Sequence, residues 1–214
     1  MTTSSRCAPA ALKSCVLVLL SCLLSGWPVL AQEATPPAPA ASAAAPVQSS
    51  VQAFDTRYTR FGFELRTRWG QRVIGMFPDY EGEVTLLPDG RHLVRIVLRT
   101  GGVTVAESER YTAMARGPSF FDSAHHPLIE FESDPHPELL IRAGGRLRGR
   151  LTMHGVSRIE TFYLAPAVCD RPGKDCDVVA SGSINRTDYG LDGWQLALTD
   201  RVRFNMRVRV IEAR

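Results

Sequence analysis

The sequence predicts an all-β domain of antiparallel strands with one short helix. Three observations carry that expectation. Apolar and charged residues alternate strictly in three stretches, glycine and proline separate further strand-like runs, and a single segment has helical character.

Not all of the 214 residues belong to that domain. Arg6 and Lys13 precede an apolar run at Cys15 to Leu24, and a second apolar piece ends in Val29-Leu30-Ala31. This pattern predicts a signal peptide over 1–31, cleaved after Ala31. The run is shorter than the roughly 20 apolar residues of a spanning helix. Leu19-Leu20-Ser21-Cys22 loosely resembles the motif before a lipidated cysteine, which makes a lipoprotein the competing reading. Residues 32–50 are mostly Ala, Pro and Ser, and Pro36, Pro37, Pro39 and Pro46 oppose a helix. They are expected to form a disordered tether. The folded part is then 51–214, one domain with a single core.

The elements follow in order. In RFGFELRTRW, Phe61, Phe63, Leu65 and Trp69 share one parity, and Gly62, Glu64, Arg66 and Arg68 the other. Strands are expected at 72–78, 82–87 and 91–99, with Pro88-Asp89-Gly90 as punctuation. Ala106 to Pro118 reads as the helix, with Gly117 as its C′ residue and Pro118 as its stop. A strand at 127–133 turns Ile129 and Phe131 inward. GRLRGRLTM sets Leu147, Leu151 and Met153 against Arg146, Arg148 and Arg150. Strands at 157–166 and 177–186 precede DRVRFNMRVRV, where Val202, Phe204, Met206, Val208 and Val210 alternate with charged or polar residues.

Roughly eight or nine strands result, and such clean alternation needs one enclosed interior. A closed barrel also removes edge strands; a sandwich remains the alternative. The inward set is large and uncharged. In a barrel of about eight strands it either fills the lumen or encloses one apolar ligand.

Charge excludes some partners. Without Arg6 and Lys13, 23 basic residues face 22 acidic ones, so no field attracts nucleic acid. The alternating arginines read as a solvated outer face. Arg72, Arg116 and Arg186, near strand ends or loops, are weak candidates for an anionic head group. Cys7, Cys15 and Cys22 lie in the leader. Cys169 and Cys176, in CDRPGKDC, are expected to form a disulfide that clamps one loop.

Catalytic chemistry finds little support. There is no Gly-x-Ser-x-Gly elbow and no glycine-rich phosphate loop. The five histidines are His92, His125, His126, His136 and His154. His125 and His126 are adjacent, so in extended chain they point apart, which argues against a metal site. Asp122 reads as a turn residue whose carboxylate accepts backbone N–H groups. The expectation is therefore no catalytic residue, no metal and no cofactor.

Several motifs then converge. FDTRYTRFGFELR from Phe54, VIGMFPDYEG at Val73 to Gly82, SFFDSAHHPLIEFES at Ser119 to Ser133, LTMHGVSR at Leu151 to Arg158 and SGSINRTDYGL at Ser181 to Leu191 occur in family order. By them the chain resembles the YceI-like, polyisoprenoid-binding proteins. The resemblance implies an eight-stranded antiparallel lipocalin-like barrel with a short helix. It also implies an apolar cavity for a long-chain isoprenoid lipid such as a polyprenyl phosphate or quinone-like molecule, and a periplasmic or secreted location.

The residues expected to line the pocket are Phe61, Phe63, Leu65, Phe77, Phe120, Phe121, Ile129, Phe131, Leu147, Leu151, Met153, Phe204 and Met206. The lipid is the expected partner, with transient membrane contact, for a monomer or homodimer. The chain departs from the family where Tyr111 to Met114 replaces an Asp-x-His-Leu motif, and where Tyr58 and Thr59 stand for a His and Ser. Two other functions compete. One is a metal-dependent hydrolase using His125, His126, His136 and Asp122; the other is a filled barrel acting as an envelope stress or interaction module.

Overall fold

The computed structural model describes residues 49–106 and 108–211. The expected signal peptide and the expected tether up to residue 48 lie outside them. Ser50, the last residue of that tether, already opens strand β1 (Ser50–Ala53).

Eleven strands form one sheet among the described residues. They are β1, β2 (Arg60–Thr67), β3 (Arg72–Met76), β4 (Tyr80–Leu86), β5 (His92–Arg99), β6 (Thr104–Val105), β7 (Leu128–Ser133), β8 (Gly145–Met153), β9 (Val156–Leu164), β10 (Val178–Asn185) and β11 (Leu198–Val208). The order across the sheet is β1-β4-β5-β7-β8-β9-β10-β11-β2-β3-β6, with every pairing antiparallel. β3 and β4 stand near opposite ends of that order, yet only residues 77–79 separate them. The sheet must therefore curl. A bridge between Phe54 and Val210, and a 2.8 Å bond from Ile211 N–H to the Ala53 carbonyl, tie β1 to the end of β11. The result is the expected antiparallel barrel, in which the curl covers what a flat sheet would leave as edges.

The expected eight or nine strands become eleven because β1 and β6 are too short to show a period. One expected helix becomes two. Helix α1 (Glu109–Arg116) starts later than expected, at the Ser108 cap, whose hydroxyl accepts the Tyr111 N–H at 3.1 Å. Gly117 closes it with φ −73°, extended rather than left-handed. Pro118 behind it imposes that conformation and overrides the expected glycine cap. Helix α2 (Glu138–Ala143) was not expected, being a six-residue segment with no room for an apolar repeat.

Inside, phenylalanine rings lie over glycines. A Cβ on Gly75 would strike the Phe63 ring, and one on Gly182 the Phe162 ring. These glycines make room for rings that cross the lumen. Phe61, Phe63, Leu65, Ile129, Phe131, Leu147, Leu151, Met153 and Phe204 are all buried, as the alternation requires. The arginines between them on β8 and β11, such as Arg148 and Arg203, are exposed. Trp69 breaks the parity: β2 ends at Thr67, and Trp69 stands 65% exposed on the following turn.

Candidate functional site

Among the described residues, the barrel holds a larger and a smaller cavity near its two ends, with a small void between. The larger, about 350 Å³, opens where β10 begins and β11 ends. Its walls are apolar: Phe131, Leu147, Phe162 and Met206 face Val84, Val94 and Ile96, with Ala180 and Val208 below them. Its rim is polar. His92 and His136 form a backbone bridge on one side, and α2 brings Glu138 and Arg142. The loop 171–174 completes it.

That loop lies inside the Cys169–Cys176 disulfide, which is formed as expected. The disulfide holds one wall of the mouth. The Gly173 carbonyl accepts the Val210 N–H at 2.8 Å, and Arg142 reaches the Asp170 carbonyl at 2.7 Å while pairing with Glu138. α2, the disulfide loop and the end of β11 are thus one fastened unit.

The smaller cavity, about 200 Å³, lies at the other end, where β2 ends and β11 begins. Phe63, Leu65 and Phe120 line it with Met114 and Ala115 of α1, and with Trp69 and Trp194. Ten residues of β11 separate the two ends, roughly 30 Å of strand. Between them Phe131, Phe162 and Phe204 pack edge-to-face, with centroids 5.0 and 6.4 Å apart. A void of about 20 Å³ beside them is bordered by Ile129, Leu151, Phe204 and Met206.

The expected pocket residues therefore divide. Phe131, Leu147 and Met206 line the larger cavity, and Phe63, Leu65 and Phe120 the smaller. Ile129, Leu151 and Phe204 touch the small void. Phe61, Phe77, Phe121 and Met153 border none of the three. Phe61 packs against Tyr80, and Phe77 against Phe121, as solid core. Sequence reading missed Phe162 and Ala180 as lining residues. Their strands were expected, and the parity that buries Ile184 also carries Ala180 inward.

The polar candidates also move. Asp122, at φ 46°, does not cap with its carboxylate. Its carbonyl accepts the N–H groups of His125 and His126, at 3.0 and 2.8 Å, and its carboxylate takes His125 Nδ1 at 2.9 Å. His136 stands at the opposite end of the barrel against His92, so the hydrolase set His125, His126, His136 and Asp122 does not assemble. Burial pushes the His136 imidazole below the usual histidine range; the Asp134 carbonyl opposes this and nearby His92 adds to it. His126 instead meets His154, with ring centroids 4.1 Å apart.

The arginine candidates serve structure. Arg72 pairs with Glu64, and Arg116 donates to the Val103 carbonyl. Arg186 is wholly buried. Its guanidinium holds the carbonyls of Leu191, Gly193 and Thr199, and lies 3.6 Å from Asp200. Beside it Tyr189, also wholly buried, donates to Glu160 at 2.8 Å, and burial drives its phenol far above the usual range.

The crystal structure of BcnA from Burkholderia cenocepacia superposes with a TM-score of 0.59 at 14% identity, covering 72% of this chain and 98% of that one. A polyisoprenoid binding domain from Saccharophagus degradans, described as implicated in plant cell wall breakdown, gives 0.57 at 11%, covering 75% and 97%. These likenesses establish the fold. A 72-residue stretch is 32% identical to human butyrophilin subfamily 1 member A1, but it spans 33% of this chain and 14% of that protein. So short a match carries no functional argument. The family model of the YceI-like domain matches residues 46–210, most of the chain, and the protein belongs to that family.

Proposed function

We propose that the protein binds an isoprenoid-class lipid, with the tail in the larger cavity and the polar end at the His92–His136 rim. The carrying observation is an apolar chamber of about 350 Å³ that opens between α2 and a disulfide-fastened loop. Membership of the YceI-like family supports the reading, as does the likeness to a domain described as polyisoprenoid-binding. It is a carrier or sequestering role, with no chemical step.

Volume bounds the ligand. A cavity of roughly 150 Å³ hosts one benzene, so the larger chamber suits roughly a dozen carbons. A longer chain must turn the Phe131–Phe162–Phe204 belt aside to reach the smaller cavity. Each buried CH₂ contributes roughly 0.8 kcal/mol, so several isoprene units bind tightly without a polar contact. Residues 1–31 would direct export to the periplasm, and 32–49, ahead of β1, would act as tether. The test is mass spectrometry of organic extracts from protein isolated from the periplasm of a bacterial host. A stoichiometric prenyl-chain lipid is expected. Lipid-free protein from several hosts would sink the reading.

A further inference from the structure

We infer that Asp122, His126 and His154 form a divalent transition-metal site on the outside of the barrel end. One donor atom from each lies within 4.8 Å of the other two, and all three residues are half-buried. They come from two separate turns. Asp122 and His126 belong to the turn before β7, and His154 sits at the tip of the β8–β9 hairpin.

The side chains are held as ligands are held. His154 Nδ1 lies 3.2 Å from the Tyr189 carbonyl. Donation there leaves Nε2 with its lone pair outward, the arrangement that orients metal-bound imidazoles. Tyr189 is itself fully buried, and its hydroxyl donates to Glu160. The Asp122 carboxylate is steadied by His125 Nδ1 at 2.9 Å, which leaves lone pairs for a cation. The Asp122 carbonyl accepts the His126 N–H at 2.8 Å, which fastens the second histidine's backbone into the turn that Asp122 begins.

Backbone strain concentrates here. Among the described residues, three non-glycines have positive φ, and Asp122 at 46° and His154 at 52° are two of them. Such conformations persist where the surroundings impose them, and they gather at functional sites.

The donor set selects the metal. Two imidazoles and one carboxylate suit Zn²⁺, Co²⁺ or Ni²⁺ rather than oxygen-seeking Ca²⁺ or Mg²⁺. Around zinc at about 2.0–2.1 Å, tetrahedral donors stand roughly 3.3 Å apart. The cluster would contract by at most roughly 1.5 Å, a rotation within reach of half-buried side chains. Three protein ligands leave a position for water. The site would clip the β7 turn to the β8–β9 hairpin, independently of the lipid chamber.

The test uses tag-free, chelator-stripped protein titrated with zinc chloride in a non-coordinating buffer, by calorimetry and by thermal melting. One zinc per chain and a rise in melting temperature are expected. His126→Gln, His154→Gln and the turn-preserving Asp122→Asn are each expected to weaken binding at least ten-fold and to abolish the thermal shift. Asp89→Asn, in the turn before β5 at the other barrel end, is expected to change neither. Circular dichroism confirms that each variant is folded. Zinc binding as tight as the parent's in the His126→Gln, His154→Gln or Asp122→Asn variant, or no stoichiometric binding by the parent, would overturn the site.

Discussion

Ala180→Phe gives the sharpest test of the lipid chamber. Ala180 is 7% exposed, pairs across the sheet with Leu164 and Met206, and borders the larger cavity. A phenyl ring there takes up roughly one benzene's worth of space, about 150 Å³ by comparison with an engineered cavity of known occupancy. That is over a third of the chamber's 350 Å³. It displaces roughly six lipid carbons, each worth roughly 0.8 kcal/mol, or roughly 5 kcal/mol in all. The dissociation constant should rise by roughly three to four orders of magnitude. The ring enters existing space, so stability should change by less than the roughly 1–3 kcal/mol of an overpacked core. Calorimetric titration with geraniol, a prenyl alcohol short enough to stay within the larger chamber, and a parallel thermal melt read the two quantities. Ala115→Leu, facing the smaller cavity, supplies the contrast and should leave the affinity nearly unchanged. Unaltered binding by the Ala180→Phe variant would refute the placement. So would equal losses in the two variants.

Three further outcomes are expected. Arg186→Met leaves the buried acceptors at Leu191, Gly193 and Thr199 without their donor and should cost roughly 3–5 kcal/mol, measured by urea unfolding. A loss under 1 kcal/mol would show that the loop does not depend on it. Replacing Cys169 and Cys176 by serine opens a short loop, with an expected loss of roughly 2.5 kcal/mol and faster lipid release from the loosened rim. His136 titrates below its usual range because it is buried. Above about pH 6.5 both the folded and the unfolded states hold it neutral. As pH falls below that value the unfolded state gains the proton first, so stability declines by at most about 1.4 kcal/mol per unit until the folded histidine also titrates. His136→Gln should flatten that part of a stability–pH curve, and an unchanged slope would assign the effect elsewhere.

The barrel was legible because alternation is a local signal. Leu147, Leu151 and Met153 declare one face of β8 without knowledge of any partner strand. Position along the barrel axis is not local. Phe61 and Phe131 have the same parity signature, yet one is solid core and the other a cavity wall, because the cavities depend on what crosses the lumen at each level. Arg186 reads as a strand-end cation until the loop before β11 and the start of β11 turn three carbonyls onto it. His126 and His154 are 28 positions apart and meet only because the β8–β9 hairpin folds back beside the β7 turn. No spacing rule contains that distance. α2 escaped because its six residues support neither a period nor a capping motif.

The belt of Phe131, Phe162 and Phe204 makes the barrel a ruler. A tail that stops short of it leaves α1 and the Trp194 loop untouched. One carbon segment more must rotate Phe162, whose ring lies over the bare backbone of Gly182 and meets no side chain there. Occupancy by a short chain and by a long one would then differ at the far end of the molecule. Ligand length, rather than head-group chemistry, would set the arrangement of the surface near α1.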